Sequence, residues 1–290
     1  IAADDVQKNY GAADPAFTYH FETGTIGGVT FYGLTPADTG AFTIGVDRTN
    51  TAENVGVYSD VLKVTVSADA SVSANYDIYL ATGSFTINPQ VTYSLNTTDG
   101  VTGFPGTQWF SYGEDASIAG NSGVFRPGYH LIGWEDITTG ATYLLGEAIP
   151  AIDRNYSFRA IWELALYNVY YVRGTGDNVE SVPDDALELK YGTTYVISSG
   201  VPYRSGYSFL YWMTSDVTGT ERTYVGGDLI SIPDNNVKLT AVWFAEESPV
   251  YYHSNFGADE KTEGGSFATD SIATVAGNMF SRPGYRFIGW

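Results

Sequence analysis

The chain has 290 residues, 33 acidic against 14 basic side chains for a formal net charge of −19, and no cysteine. Charge of that sign repels phosphate backbones and anionic lipid, which excludes nucleic-acid binding, and the missing cysteines exclude disulfides, thiol nucleophiles and cysteine-based zinc sites. Only 16% of residues are charged while Gly, Thr, Ser and aromatic residues abound, so the composition predicts a mainly β or α+β fold with little helix.

No apolar run approaches the ~18 residues of a membrane helix, so no membrane span is expected in this segment, and no leader opens it. Residues 1–88 read as a separate first module. Alternation at 17–21, 61–66, 76–80 and 84–87, punctuated by Gly27-Gly28, Thr39-Gly40 and Thr82-Gly83, predicts short strands, and Asn88-Pro89 ends the module.

From residue 89 one phrase organises the chain. It reads Arg126-Pro127-Gly128-Tyr129 running on to Trp134, then Arg204-Ser205-Gly206-Tyr207 to Trp212, then Arg282-Pro283-Gly284-Tyr285 to Trp290, with the tryptophans 78 residues apart. A fixed long period marks a unit reused in tandem. Residues 89–164 form a first repeat, opening at 91–95 and closing on a strand that ends at Trp162. Residues 165–246 form a second, opening at 169–172 and closing at Trp243. Residues 247–290 hold a truncated third, which is expected to continue into further modules because half a sheet leaves an unpaired edge. Linkers of a few residues imply an elongated, semi-rigid rod.

Within the phrase, proline fixes φ and glycine admits φ > 0, so a tight turn feeds a strand. Strict alternation puts Tyr129, Leu131 and Gly133 on one face and His130, Ile132 and Trp134 on the other, as for a central strand covered on both sides. The glycine before the tryptophan permits close backbone approach, which Tyr211 shows is not obligatory. The aromatics read as core, because a unit of about 75 residues buries only about two-thirds of its surface and needs every large side chain.

The sequence carries no catalytic constellation. His20, His130 and His253 lie in different modules on alternating stretches, and no metal-ligand spacing, Gly-x-Ser-x-Gly elbow or phosphate loop occurs. Asp4-Asp5, Glu135-Asp136, Asp184-Asp185 and Glu246-Glu247 read as solvated turn charge, with a calcium site between units as the alternative. No catalytic residue, cofactor or metal ligand is assigned. Lys8, Lys63, Lys190, Lys238 and Lys261 are the candidate amines should an intramolecular Lys-Asn crosslink exist.

The phrases, with the closing Ala160-Ile161-Trp162 and Ala241-Val242-Trp243, resemble the Listeria-Bacteroides repeat of internalins and other bacterial surface proteins over about 200 residues. That resemblance implies small β-grasp-like modules serving as spacers or interaction units. Residues 1–88 resemble the MBG domain of large bacterial adhesins, through the stretch from Lys8 that includes Tyr10, Gly11, Asp14 and Pro15, the stretch from Glu53 that includes Gly56 and Tyr58, and the segments 75–78 and 83–87. Together these imply a non-enzymatic stalk or interaction segment of a cell-surface or secreted adhesin, secreted or attached to the bacterial cell wall. Its partner would be a host or neighbouring-cell protein or glycan. The alternative is a set of accessory binding modules of an extracellular enzyme.

Overall fold

The computed structural model describes residues 1–215, 220–258 and 260–290. It is almost entirely β, as the composition predicts, and its contacts group into two compact units, Ile1–Glu163 and Leu164–Trp290.

In the first module four strands form one sheet in the order Val6–Asn9, Gly83–Asn88, Gly56–Ala68, Phe42–Arg48. The first pair is parallel and the others antiparallel. Leu62, Val64, Phe85 and Ile87 fill its core with Ala3. The alternating stretch 76–80 does not form a strand. It follows a short helix, Ala70–Ser73, and its rings pack instead, Tyr79 against Phe31 and Tyr76 against Phe42, each at 5.5 Å and near-perpendicular. Ring packing replaces strand pairing there. Of the stretch 17–21 only Tyr19–His20 is paired.

Both complete repeats share one topology. In the first, a mixed sheet runs Gln108–Trp109, Gln90–Ser94, Tyr156–Leu164, Tyr129–Asp136, Thr142–Tyr143, and a side ribbon pairs Ala116–Ser117 with Ala148–Ile149. In the second the order is Ala186–Lys190, Leu166–Val172, Val237–Ala245, Tyr207–Ser215, Glu221–Tyr224, with Thr194–Val196 paired to Leu229–Ser231. The closing strand thus lies mid-sheet, parallel to the opening strand: Phe158 is opposite Tyr93, and Leu239 opposite Tyr171. Its alternation decides the covered face, since Tyr156, Phe158 and Ala160, like Val237, Leu239 and Ala241, are buried.

The phrase strand corrects the strict alternation expected from sequence. Trp134 and Trp212 are fully buried on the same face as Leu131 and Phe209, whereas Ile132 and Leu210 are close to half exposed. In the second repeat the register against the closing strand shifts between Phe209 and Tyr211. One extra residue in a bulged strand reverses every later side chain, so the tryptophan turns inward and the sheet is covered on one face only. At Gly133 a side chain would stand 2.7 Å from the Tyr143 carbonyl oxygen, which accounts for glycine in that repeat.

Each tryptophan that ends the phrase meets a tyrosine of the opening strand. Tyr93 lies 4.6 Å from Trp134, Tyr171 lies 4.8 Å from Trp212, and Tyr252 lies 4.4 Å from Trp290 between ring centroids. In the first repeat the pair clamps one loop residue: the Ala119 N–H donates to Tyr93 Oη at 2.7 Å, and the Ala119 carbonyl accepts from Trp134 Nε1 at 2.7 Å. Burial raises the Tyr93 phenol to about 12, so it stays protonated and polar at neutral pH. In the second repeat the Ser198 N–H reaches Tyr171 Oη at 2.8 Å, but Trp212 Nε1 is buried without a hydrogen-bond partner among the described residues.

That difference is measurable. Trp→Phe removes the same volume at both positions but a hydrogen bond only at 134. Trp134→Phe is therefore expected to destabilise by about 1 kcal/mol more than Trp212→Phe, in urea unfolding of the two variants. Equal losses would show that the Ala119 bond contributes nothing.

Candidate functional site

The phrase residues assemble a compact cation–aromatic cluster. Its first four residues close the expected turn in all three copies, with the Tyr129, Tyr207 and Tyr285 N–H groups each donating to the preceding arginine carbonyl at 3.1 Å. Gly128, Gly206 and Gly284 take φ of +75, +76 and +82°, as the third position of a type II turn requires. Pro127 and Pro283 precede two of them, and Ser205 serves in the third. The turn folds each guanidinium onto the ring three residues on: Arg126 lies 3.6 Å from the Tyr129 centroid, Arg204 lies 3.3 Å from Tyr207, and Arg282 lies 3.6 Å from Tyr285.

Arg126 is buried, bonds Asp99 through Nε at 3.1 Å, and lies 5.2 Å from the Trp162 ring. Arg204 makes the equivalent ion pair with Asp177. Trp162 and Trp243 donate Nε1 to the Leu95 and Arg173 carbonyls at 2.8 Å, which ties the closing strand to the end of the opening strand. Arg126, Arg204, Trp162 and Trp243 are each satisfied by a neighbour, and the arrangement offers structural locking.

The adjacent acidic residues are not simply solvated, contrary to the sequence expectation. Asp136 is fully buried and accepts from the Thr138 N–H at 3.0 Å, Thr139 Oγ1 at 2.8 Å and Arg154 at 2.8 Å. Burial works to raise its pKa, but these hydrogen bonds overcome that and hold it below the ordinary value. Glu135 pairs with Arg159 at 2.6 and 2.8 Å, Asp5 caps the Ser84 N–H at 2.6 Å, and Asp185 accepts from the Tyr171 N–H at 2.8 Å. Among the described residues no three His, Asp or Glu side chains converge as a metal cage.

In the first module, the stretches from Lys8 and from Glu53 meet. Lys8 is buried and bonds Asp14 at 2.7 Å and Glu53; Arg48 contacts Asp14 at 3.0 Å and Glu53 at 2.9 Å, and lies 4.0 Å from the Phe85 ring centroid. Sequence reasoning missed Arg48, which lies outside both stretches. The turn at Tyr10 and Gly11 carries the chain from Lys8 toward Asp14, with the Ala12 N–H donating to the Asn9 carbonyl at 3.0 Å. Pro15 is exposed; Gly56 pairs with Ile87, and Tyr58 Oη donates to the Asn54 carbonyl at 2.8 Å. The other candidate lysines, Lys63, Lys190, Lys238 and Lys261, are exposed.

The same module also carries a groove of about 450 Å³, which sequence did not indicate. Phe21, Phe31, Tyr32, Tyr76 and Tyr79 line it with Glu22 and Asp77, and Tyr32 is 85% exposed. Tyr79 came from a stretch expected to be strand and Tyr32 from one given no element, so nothing in the pattern singled them out.

The Lys8 cluster fixes a pH dependence. The Asp14 and Glu53 pKa values are lowered chiefly by their hydrogen bonds to Lys8, so their stabilisation is full above about pH 4 and is lost as pH falls through the depressed values. Asp14→Asn should lower the melting temperature at neutral pH, and the gap from the parent protein should close on acidification. A gap independent of pH would count against the ion pair.

Comparison with known proteins agrees with both resemblances. Residues 1–86 match the MBG domain of YGX type, and residues 167–242 match the Listeria-Bacteroides repeat domain. Two relatives occur in Evansella cellulosilytica. One, provisionally named a membrane protein, is 32% identical over 171 residues, which is 57% of this chain and 24% of that protein. The other, provisionally named a Gly-rich membrane protein, is 25% identical over 191 residues, 64% of this chain and 20% of that protein. The chain thus spans a quarter or less of the length of these curated relatives. No solved structure matches it. Neither matched family is catalytic, and among the described residues no helix is long and apolar enough to cross a membrane. The chain is thus similar to an MBG domain of the YGX type over residues 1–86 and to a Listeria-Bacteroides repeat domain over residues 167–242.

Proposed function

We propose that residues 1–290 form a non-enzymatic spacer of a bacterial cell-surface or secreted protein of adhesin type, built from an MBG module at 1–88, repeats at 89–164 and 165–246, and a third at 247–290. The observation that carries this reading is the reuse of one seven-strand topology, with the same Arg–Tyr turn and Tyr–Trp pair, in consecutive repeats. The joints are short: only Pro89 separates Gly83–Asn88 from Gln90–Ser94, and only Glu246 separates Val237–Ala245 from Glu247–His253. Such joints favour modules in series over independent beads. Conserving internal packing while leaving no reactive group is what a spacer needs.

A second reading has the first module also bind a host or neighbouring-cell glycan or protein. It is favoured by the aromatic groove, which the exposed Tyr32 and Tyr79 line together with Glu22 and Asp77.

Small-angle scattering of the chain tests the spacer reading: an elongated particle is expected, and a compact globule would overturn it. Glycan-array binding tests the second. Binding is expected to be lost in Tyr32→Ala with Tyr79→Ala while the melting temperature is kept; no binding by the parent chain on glycan or surface-protein arrays would sink it.

A further inference from the structure

One turn recurs in each repeat, beyond the strand that pairs with the opening strand. The Glu114 N–H donates to the Ser111 carbonyl at 3.2 Å, Thr193 to Lys190 at 3.2 Å and Ser271 to Ala268 at 3.0 Å. Six residues past the third position of each turn, an N–H is held by the opening-strand phenol, at Ala119, Ser198 and Ala276, so Gly113, Gly192 and Asp270 are equivalent. Gly113 and Gly192 take φ of +80 and +73°, and Asp270 takes +62°. That left-handed region crowds a Cβ and favours glycine, so the aspartate is held against the preference of its own backbone. A departure of this kind points to a contact that compensates it.

The contact is with the phrase turn of the second repeat. The Asp270 carboxylate accepts from Tyr207 Oη at 2.7 Å and lies 3.9 Å from Arg204 Nη2, the guanidinium that stacks on Tyr207 and pairs with Asp177. Main-chain bonds surround it. The Glu246 N–H donates to the Gly206 carbonyl at 2.9 Å, and the Thr269 N–H and Oγ1 donate to the Glu246 carbonyl at 2.8 and 3.0 Å. Ser208 Oγ donates to the Glu246 carboxylate at 2.6 Å. Thr269 also covers Gly206, where a Cβ would stand 2.7 Å from both its Oγ1 and its Cγ2.

We propose that the Arg204–Tyr207 turn is a docking surface, and that its occupant is the Thr269–Asp270 turn, which fixes the angle between residues 165–246 and the segment from 247. The proposal rests on the division at residue 246 and goes beyond the spacer reading, which holds equally for free and for fixed joints. The phrase then acts outward as well as inward. Arg204 is shared between Asp177 of its own repeat and Asp270 of the following hairpin, and Gly206 leaves bare the backbone on which Thr269 rests. An exposed ion pair alone is weak. Here the bonds to Glu246 close the same contact from the connecting residue, so the two parts cannot pivot without breaking several bonds together. The turns at Gly113 and Gly192 carry a hydrogen where Asp270 carries its carboxylate, so this latch belongs to the third copy of the turn and not to the other two.

The chain has no cysteine, so Ser231→Cys and Thr262→Cys, both at exposed positions, place one spin label on each side of the joint in the whole 290-residue protein. Double electron–electron resonance is expected to give one narrow distance distribution. Asp270→Gly suits the turn, as Gly113 and Gly192 do, and Tyr207→Phe keeps the ring beneath Arg204. Each should widen the distribution at least about twofold and the two together no further, as for groups acting through one bond. Asp270→Asn keeps an acceptor oxygen in a residue that tolerates the left-handed region, so it should keep the narrow distribution. A narrow distribution in Asp270→Gly, with a melting temperature raised by relief of the backbone, would overturn the latch. So would additive widening by the two substitutions. A broad distribution in the labelled parent, beside an elongated particle in scattering, would overturn the latch alone and leave the spacer reading standing.

Discussion

The strand that comes last in each repeat lies in the middle of its sheet. Among the described residues, Tyr156–Leu164 and Val237–Ala245 each lie between the opening strand and the phrase strand, parallel to one and adjacent to the other. A unit wired this way must close a loop of some 65–70 residues, spanning nearly its whole length, before its central pairing forms, and the entropic cost is recovered only when the inward residues of that strand are buried. Tyr156, Phe158 and Ala160 do this in one repeat, and Val237, Leu239 and Ala241 in the other. Folding of a complete repeat is thus tied to its final residues.

A module of this size, without disulfides, has little apolar area to spare, and it is used twice. Inside the covered face, tyrosine and tryptophan pack by their rings and also hold a loop by their polar atoms, so one pair fixes both core and connection. At the strand entry, arginine stacks on tyrosine and pairs with an aspartate contributed by the turn after the opening strand, Asp99 or Asp177. That second cluster ties together three elements distant in sequence without entering the core. Its persistence with Ser205 in place of proline shows that the glycine and the ring contact matter more than the preset φ.

What the sequence revealed follows from which interactions are local. The turns at Gly128, Gly206 and Gly284 were legible because their stereochemistry is decided by adjacent residues, and the opening and closing strands because their alternation is unbroken. The inward turn of Trp212 was not, since a period of two cannot announce an extra residue; the register shift between Phe209 and Tyr211 across the sheet reveals it. Asp136 was read as solvated because its neighbour Glu135 suggested an exposed pair, whereas its partner Arg154 lies 18 residues away. Likewise Lys8 and Glu53 stood out separately, but nothing local shows that they meet across 45 residues, with Arg48 contacting both carboxylate partners of Lys8, Asp14 and Glu53.

That meeting also bears on the crosslink considered for the lysines. A Lys-Asn crosslink requires a neutral amine attacking an asparagine amide with loss of ammonia, whereas the groups bonded to Lys8 are the carboxylates of Asp14 and Glu53. At Lys8, burial favours the neutral amine, but hydrogen bonds to Asp14 and Glu53 outweigh it and raise the amine's pKa. The carboxylates are driven the opposite way, lowered by Lys8 and further by the Arg48 guanidinium. Arg48 carries a permanent charge and stacks on Phe85, so it cannot relax out of the cluster without losing that contact. Two cations and two carboxylates therefore hold one another ionised. The cluster acts as an electrostatic clasp between the turn at Asp14 and the loop at Glu53, and its strength depends on remaining charged.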